Sequence, residues 1–146
     1  MQAEMCADLH VVGQLCRLDL LYHRSTLNFC DLQQVAQTCQ LALQRIQYHN
    51  QHETPAEQDE SRYLSVDPTP AAPSSTPANE LRAKLVDEEA RIFDRYRAMF
   101  ALRNKGGQEA VTALGEAFGS QSALLKHEVA YVLGQMQDAG AVTTLR

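Results

Sequence analysis

The order of apolar and polar positions divides the chain into stretches of different character. Leu9, Val12, Leu15, Cys16 and Leu20 recur at rough helical spacing within residues 1–30, the least regular part. Residues 32–50, LQQVAQTCQLALQRIQYHN, are clearer. Leu32, Val35, Cys39, Ala42, Leu43 and Ile46 form one stripe, with glutamines on the other side. The spacing predicts a helix that buries the stripe, with Cys39 as plain core. Residues 51–79 lose all periodicity, hold all five prolines and are rich in Ser and Thr. They read as a linker, extended in part and disordered, with YLSVD as a small apolar island suited to docking on a folded surface.

Helical periodicity returns at Glu80. Asn79 is placed to cap one helix running through ELRAKLVDEEARIFDRYRAMFALRN, which Gly106 and Gly107 end. QEAVTALGEAFG forms a second helix with Ala110, Val111, Leu114 and Phe118 inward. SQS turns the chain into ALLKHEVAYVLGQM, a third helix with stripe Leu124, Leu125, Val129, Val132 and Leu133. QDAG breaks it, and AVTTLR begins a fourth. Met99 and Met136 are expected to be core filler, and Tyr131 a packing residue, with contact to a substrate as its alternative.

A repeat is superimposed on this pattern. YRAMFALRNKGGQEAVTAL aligns without a gap on HEVAYVLGQMQDAGAVTTL, a period of 31 residues. Tyr96 matches His127, Arg97 matches Glu128, Phe100 matches Tyr131, Val111 matches Val142 and Leu114 matches Leu145. This is the scale of a helix–turn–helix solenoid unit, in which each unit buries its stripe against neighbours. The sequence stops inside a unit, so it is expected to be a truncated array whose last apolar face is uncovered.

The repeat bears on the adjacent His127 and Glu128. The preceding unit has Tyr96 and Arg97 there, so the scaffold does not demand imidazole and carboxylate. Two readings stand side by side. One is a polar edge beside a core stripe. The other is part of a metal site, since neutral His and ionised Glu are good ligands for iron, zinc or manganese. Neighbours on a helix diverge by about 100°, so one pair needs ligands from other helices. A second pair, His52–Glu53, lies in the polar linker and reads as solvated loop.

Composition excludes several classes. A net charge of −5 disfavours nucleic acid and acidic membranes as partners. No apolar run approaches the ~20 residues of a membrane span. No signal-peptide pattern opens the sequence, which leads to the expectation of a cytoplasmic protein with reduced thiols. Cys6, Cys16, Cys30 and Cys39 follow no zinc spacing, and no glycine belongs to a phosphate-binding loop.

YLSVDP, RYRAMFALRN followed by GG, and SALLKHEVAYVLGQMQDA together resemble deoxyhypusine hydroxylase, over about Asp31 to Arg146. The resemblance implies an all-α, HEAT-like helical-repeat solenoid, here truncated and with a disordered Pro-rich linker. Residues 1–30 lie outside the resemblance as a divergent segment. Residues 31–50 correspond to the terminal helix of the first half, 51–79 to the linker and 80–146 to the start of the second half. The family holds two Fe(2+) ions between four HE pairs. With dioxygen it hydroxylates the deoxyhypusine side chain on the precursor of translation initiation factor five-A, completing hypusine. His127 and Glu128 match one pair, implying that both are metal ligands, with Glu128 as a ligand or as the carboxylate pairing with the substrate ammonium. An acidic chain suits a polyamine-like substrate. Only one of the four pairs is present, so the isolated chain is expected to bind iron weakly and turn over nothing. The competing expectation is a metal-free HEAT-type interaction module, with Tyr96, Arg97, His127 and Glu128 as a partner-contact row, or an inactive fragment.

Overall fold

The computed structural model describes residues 29–52 and 63–146, and all regular structure among them is helical. In chain order the helices are α1 (Phe29–Gln51), α2 (Ala78–Val86), α3 (Ile92–Lys105), α4 (Gly107–Glu116), α5 (Ala123–Met136) and α6 (Ala141–Thr144), with a 3-10 turn at Ala117–Gly119. Helix α3 is central and packs against α1, α2, α4 and α5. Phe93, Tyr96, Met99, Phe100 and Leu102 on α3 meet Leu81 and Leu85 of α2, Val111 and Leu114 of α4, and Leu125, Val129 and Val132 of α5 in one buried core.

Helices α3–α4 and α5–α6 are the two repeat units. Gly106 and Gly107, at φ 67° and 80°, make the turn between α3 and α4 in a region closed to most side chains. Equivalent positions in the two units have opposite fates. Phe100, Val111 and Leu114 are fully buried, whereas their counterparts Tyr131, Val142 and Leu145 are about half exposed, at 54%, 50% and 49%. Each stripe is covered by the next unit, and among the described residues nothing follows the second. Among the described residues Tyr131 is thus exposed, where packing was expected. Met99 is core, and Met136 packs against the core's edge.

The single helix expected over 80–104 is two. Asp87 breaks it: its backbone turns extended, its Oδ1 accepts from the Glu89 N–H at 3.0 Å, and its carbonyl accepts from the Ala90 N–H. A short Asp side chain stabilises such a turn by bonding the backbone two residues on. The N-cap of α2 is Pro77, without a side-chain cap bond, and Asn79 lies inside the helix. Helix α5 matches its expected bounds, and Ser122 caps it by accepting from the Leu125 N–H at 3.1 Å.

Helix α1 is present but turned over. Leu41 is its buried residue, with Tyr48 packed at the core's edge. Gln44 Oε1 accepts from the Phe93 N–H at 3.2 Å, and Gln37 Oε1 accepts from Ser122 Oγ at 2.7 Å. The glutamine side thus faces the body, because the body offers it a helix start and a capping hydroxyl rather than apolar surface. Val35 and Ile46, on the stripe expected to be core, are 48% and 51% exposed, and Cys39 is half-buried.

The second half of the linker is ordered, contrary to the expectation of disorder. Residues 63–77 run as an irregular strap along α3. The Ala72 N–H donates to the Arg97 carbonyl at 3.0 Å, Arg97 Nε to the Pro70 carbonyl at 3.3 Å, and Lys105 Nζ to the Ser74 carbonyl at 2.7 Å. Thr69 is buried and Ala71 and Ala72 pack on the core, so apolar burial adds to these bonds. Glu53 and residues 1–28 lie outside the described residues.

Candidate functional site

His127 and Glu128 sit on the second turn of α5, which is locked in place by the Ser122 cap and by burial of Leu125, Val129 and Val132. At about 100° per residue, His127 points roughly opposite this stripe and Glu128 lies on its flank. The imidazole is accordingly exposed, and Glu128 is half-buried. Gln135 lies two turns beyond Glu128 on the same side of the helix.

That side of α5 borders the strap. Arg103, at the end of α3, is fully buried. Its Nη2 pairs with Asp67 Oδ2 at 2.6 Å, and its Nη1 donates to Asp67 Oδ1, Ser65 Oγ and Gln135 Oε1 at 3.0, 3.1 and 2.9 Å. Its guanidinium also stacks over Phe100 and Tyr63, 4.8 and 4.7 Å from the ring centroids. A buried guanidinium demands such a full set of acceptors, since an unpaired one is expensive. The result is a clamp joining strap, α3 and α5 beside Glu128. Burial raises the Glu128 carboxyl above the ordinary range, and the negative Asp67 adds to this. His127 and Arg103 oppose the rise without cancelling it. A carboxylate reluctant to stand alone in its charged form gains from a cation brought beside it.

The donor set fits part of a metal site and no more. Imidazole and carboxylate are the right chemistry for iron, and both project from one helical turn, the first exposed and the second half-buried. Among the described residues no group of three or more His, Cys, Asp or Glu side chains could hold an ion. His127 and Glu128 would hold a metal only together with donors beyond these residues.

Tyr96 and Arg97, the repeat counterparts of this pair, do not extend it into a contact row. Tyr96 is 1% exposed, and its hydroxyl donates to the Leu124 carbonyl at 3.4 Å. Burial, then the charge of Glu128, pushes its phenol far up. Arg97 is engaged by the strap and stacks over Tyr48, 5.0 Å from its ring centroid. The earlier unit thus uses these positions for packing and linker docking, and the later one leaves them open. His52 stacks on Tyr48 at 4.1 Å, at the end of α1 and exposed.

Sequence reasoning missed Arg103, Asp67 and Ser65. The signal was present, since Arg103 directly follows the apolar run AMFAL and a charge there needs a partner. Elsewhere, a polar cleft of about 550 Å³ lies between α1 and the Glu88–Ile92 turn, lined by Gln33, Gln37, Gln44, Glu88, Arg95 and Gln121. It does not include His127 or Glu128. Its buried Arg95 is occupied by Glu88, Ser120 and the Leu85 carbonyl.

The pattern described as PBS lyase HEAT-like repeat matches residues 94–120, which is α3, α4 and the 3-10 turn. Deoxyhypusine hydroxylases from Gallus gallus and Homo sapiens are 52% and 51% identical to the chain over 112 residues, covering 77% of it and 36% of each relative. The Arabidopsis thaliana enzyme is 40% identical over 148 residues, covering 97% of the chain and 46% of the relative. That alignment therefore includes most of residues 1–30, which the motifs alone left outside the resemblance. The structure of human deoxyhypusine hydroxylase in complex with glycerol aligns with a TM-score of 0.69 at 52% identity, covering 76% of this chain and 38% of that one. The chain spans less than half the length of these relatives. It resembles part of deoxyhypusine hydroxylase in both sequence and fold.

Proposed function

We propose that this chain, similar to a segment of deoxyhypusine hydroxylase, supplies His127 and Glu128 to a two-iron centre. That centre would hydroxylate the deoxyhypusine side chain on the precursor of translation initiation factor five-A. The observation that carries the reading is the pair itself: an exposed imidazole and a half-buried carboxylate side by side on a solenoid helix, at a position where the preceding unit has Tyr and Arg. The identity to enzymes of that name, at 49–52% over 112–115 residues for the first three relatives, supports it.

His127 would act as an iron ligand. Glu128 would act as a second ligand or hold the substrate's ammonium; because adjacent residues diverge on a helix, one pair can serve both roles. When bound, the iron would activate dioxygen for hydroxylation of an unactivated carbon. The contribution of this chain is orientation. The Ser122 cap and the buried stripe fix α5, and the Asp67–Arg103 pair lies close enough to Glu128 for both charges to act on it. The remaining ligands must come from other repeats.

Two donors cannot hold two irons tightly, since structural metal sites draw on the order of 10 kcal/mol from a full ligand set. Titration of the isolated chain with Fe(II) under anaerobic conditions is expected to show weak binding that His127→Ala/Glu128→Ala abolishes, and no hydroxylation. Binding untouched by that double substitution would remove the pair from the site. Two stoichiometric irons retained through purification would contradict the partial-site reading.

A further inference from the structure

Arg103 fixes one more side chain on the Glu128 side of α5. Gln135 Oε1 accepts from Arg103 Nη1 at 2.9 Å, and Gln135 itself is half-buried. A guanidinium has donors only, so the amide oxygen must be the atom that faces it. The Gln135 Nε2 group therefore turns away from Arg103, and its N–H groups meet no acceptor among the described residues. Bonding the oxygen to a cation polarises the amide and makes those N–H groups better donors. Arg103 is fully buried and also bonds Asp67 and Ser65, so the group that sets this orientation is itself held.

Glu128 and Gln135 are seven residues apart on α5. That separation leaves their side chains about 20° apart in direction and about 10 Å apart along the axis. One edge of α5 thus carries an acceptor at one end and oriented donors at the other. The repeat gives this edge a precedent. Arg97 and Asn104 are the counterparts of Glu128 and Gln135 in the earlier unit. There Arg97 Nε donates to the Pro70 carbonyl at 3.3 Å, and the Arg97 carbonyl accepts from the Ala72 N–H at 3.0 Å. The equivalent edge of α3 therefore holds a stretch of main chain, the strap.

We propose that Gln135 donates to a main-chain carbonyl of the substrate protein, beside the residue being modified. This rests on the reading of Glu128 as the group that holds the substrate's ammonium. The deoxyhypusine side chain is a lysine lengthened by an aminobutyl group, and its protonated amines are donors only. They suit Glu128, whereas the complement of the Gln135 N–H groups is an acceptor. From Cα to the terminal nitrogen the side chain has about ten single bonds, an extended reach of roughly 12 Å. With the ammonium at Glu128, the main chain at its other end lies at the level of Gln135. A free diamine satisfies Glu128 alone, and only a polypeptide substrate engages both ends of the edge.

The test uses human deoxyhypusine hydroxylase carrying residues 31–146 of this chain in place of its matching segment. Binding of the deoxyhypusine-bearing precursor is followed by fluorescence anisotropy without metal. Gln135→Glu keeps an acceptor for Arg103 and deletes the donors, and Gln135→Met deletes the donors without adding charge. Both are expected to raise Kd at least about fivefold, the worth of one hydrogen bond left unmade. In the iron-loaded enzyme both are expected to raise KM by a similar factor and to change kcat less than about twofold. Gln135→Glu is expected to unfold in urea no earlier than the unsubstituted protein. A role confined to satisfying Arg103 predicts that same stability with no change in Kd. An unchanged Kd in both variants, or a fall in kcat at unchanged KM, would overturn the proposal. Glu128→Gln, measured alongside, reads the underlying premise separately. If it raises Kd while the Gln135 variants are silent, the main-chain contact fails and the ammonium contact stands. If it is silent while they raise Kd, the ammonium contact fails and the Gln135 contact stands.

Discussion

Asp67→Ala tests whether the strap is part of the fold. Asp67 is the acidic partner of a fully buried guanidinium, and its own side chain is 20% exposed. Breaking a buried pair by removing one partner costs about 3–5 kcal/mol, mostly because the other charge is stranded. Arg103 would keep Ser65 and Gln135 at 3.1 and 2.9 Å and its two aromatic neighbours. The partial exposure of Asp67 also lets water reach the vacated side. We therefore expect a loss of about 2–3 kcal/mol. For a body the size of residues 63–146 this corresponds to a Tm lower by roughly 10–20 °C. Urea unfolding followed by circular dichroism reads the loss directly, with Arg103→Met and the double variant completing the cycle. Paired groups should give a double variant less damaged than the sum of the singles by more than about 1 kcal/mol. A loss below about 0.5 kcal/mol, typical of an exposed ion pair, together with additive singles, would refute the clamp and leave the strap as a passive linker.

Three further outcomes follow from local geometry. Ser122→Ala removes the α5 cap and strands Gln37; a loss of about 1–2 kcal/mol is expected in urea unfolding, with Ser122→Asn retaining more stability than Ala. Thr69 is 2% exposed and its Oγ1 finds no partner among the described residues, so Thr69→Val should leave stability unchanged or raise it by up to about 1 kcal/mol, and a large loss would reveal a bond to that hydroxyl. The Glu128 carboxyl is raised by burial, so its neutral form suits the fold: that stability is fully present below the ordinary value of 4.5 and lost as pH rises through the raised one. Glu128→Gln should therefore be slightly more stable than the natural chain at pH 7, with the difference vanishing below about pH 4; a variant less stable at neutral pH would contradict this sign.

The sequence made α4 and α5 readable because each has one sharp apolar stripe and a definite turn beside it: the Gly106–Gly107 pair before α4, and Ser122 at the start of α5. Asp87 was harder to see. DEEA continues a helical pattern, and only the bond from Glu89 to Asp87 shows that the side chain ends the helix. Helix α1 shows why periodicity finds a stripe without saying what covers it. Its body-facing side is chosen by Ser122 and Phe93, far along the chain, and they select glutamines. The strap could not be read from prolines and serines, because its order comes from Arg97, Arg103 and Lys105 on another element. His127 and Glu128 were visible as a pair, and the repeat showed that the scaffold did not require them. The structure adds that His127 is exposed and Glu128 is half-buried within reach of the charge of Asp67.

On the proposed reading, His127 and Glu128 belong to an iron site completed by other repeats. The most direct measurement places residues 31–146 of this chain into human deoxyhypusine hydroxylase in place of the matching segment. Iron content, the optical signature of the metal centre and hypusine formation are then read with and without His127→Ala/Glu128→Ala. An iron-loaded, active chimera is expected, which loses its signature and at least a hundredfold of its rate on the double substitution. An alanine variant that kept both its iron and its rate would contradict that reading.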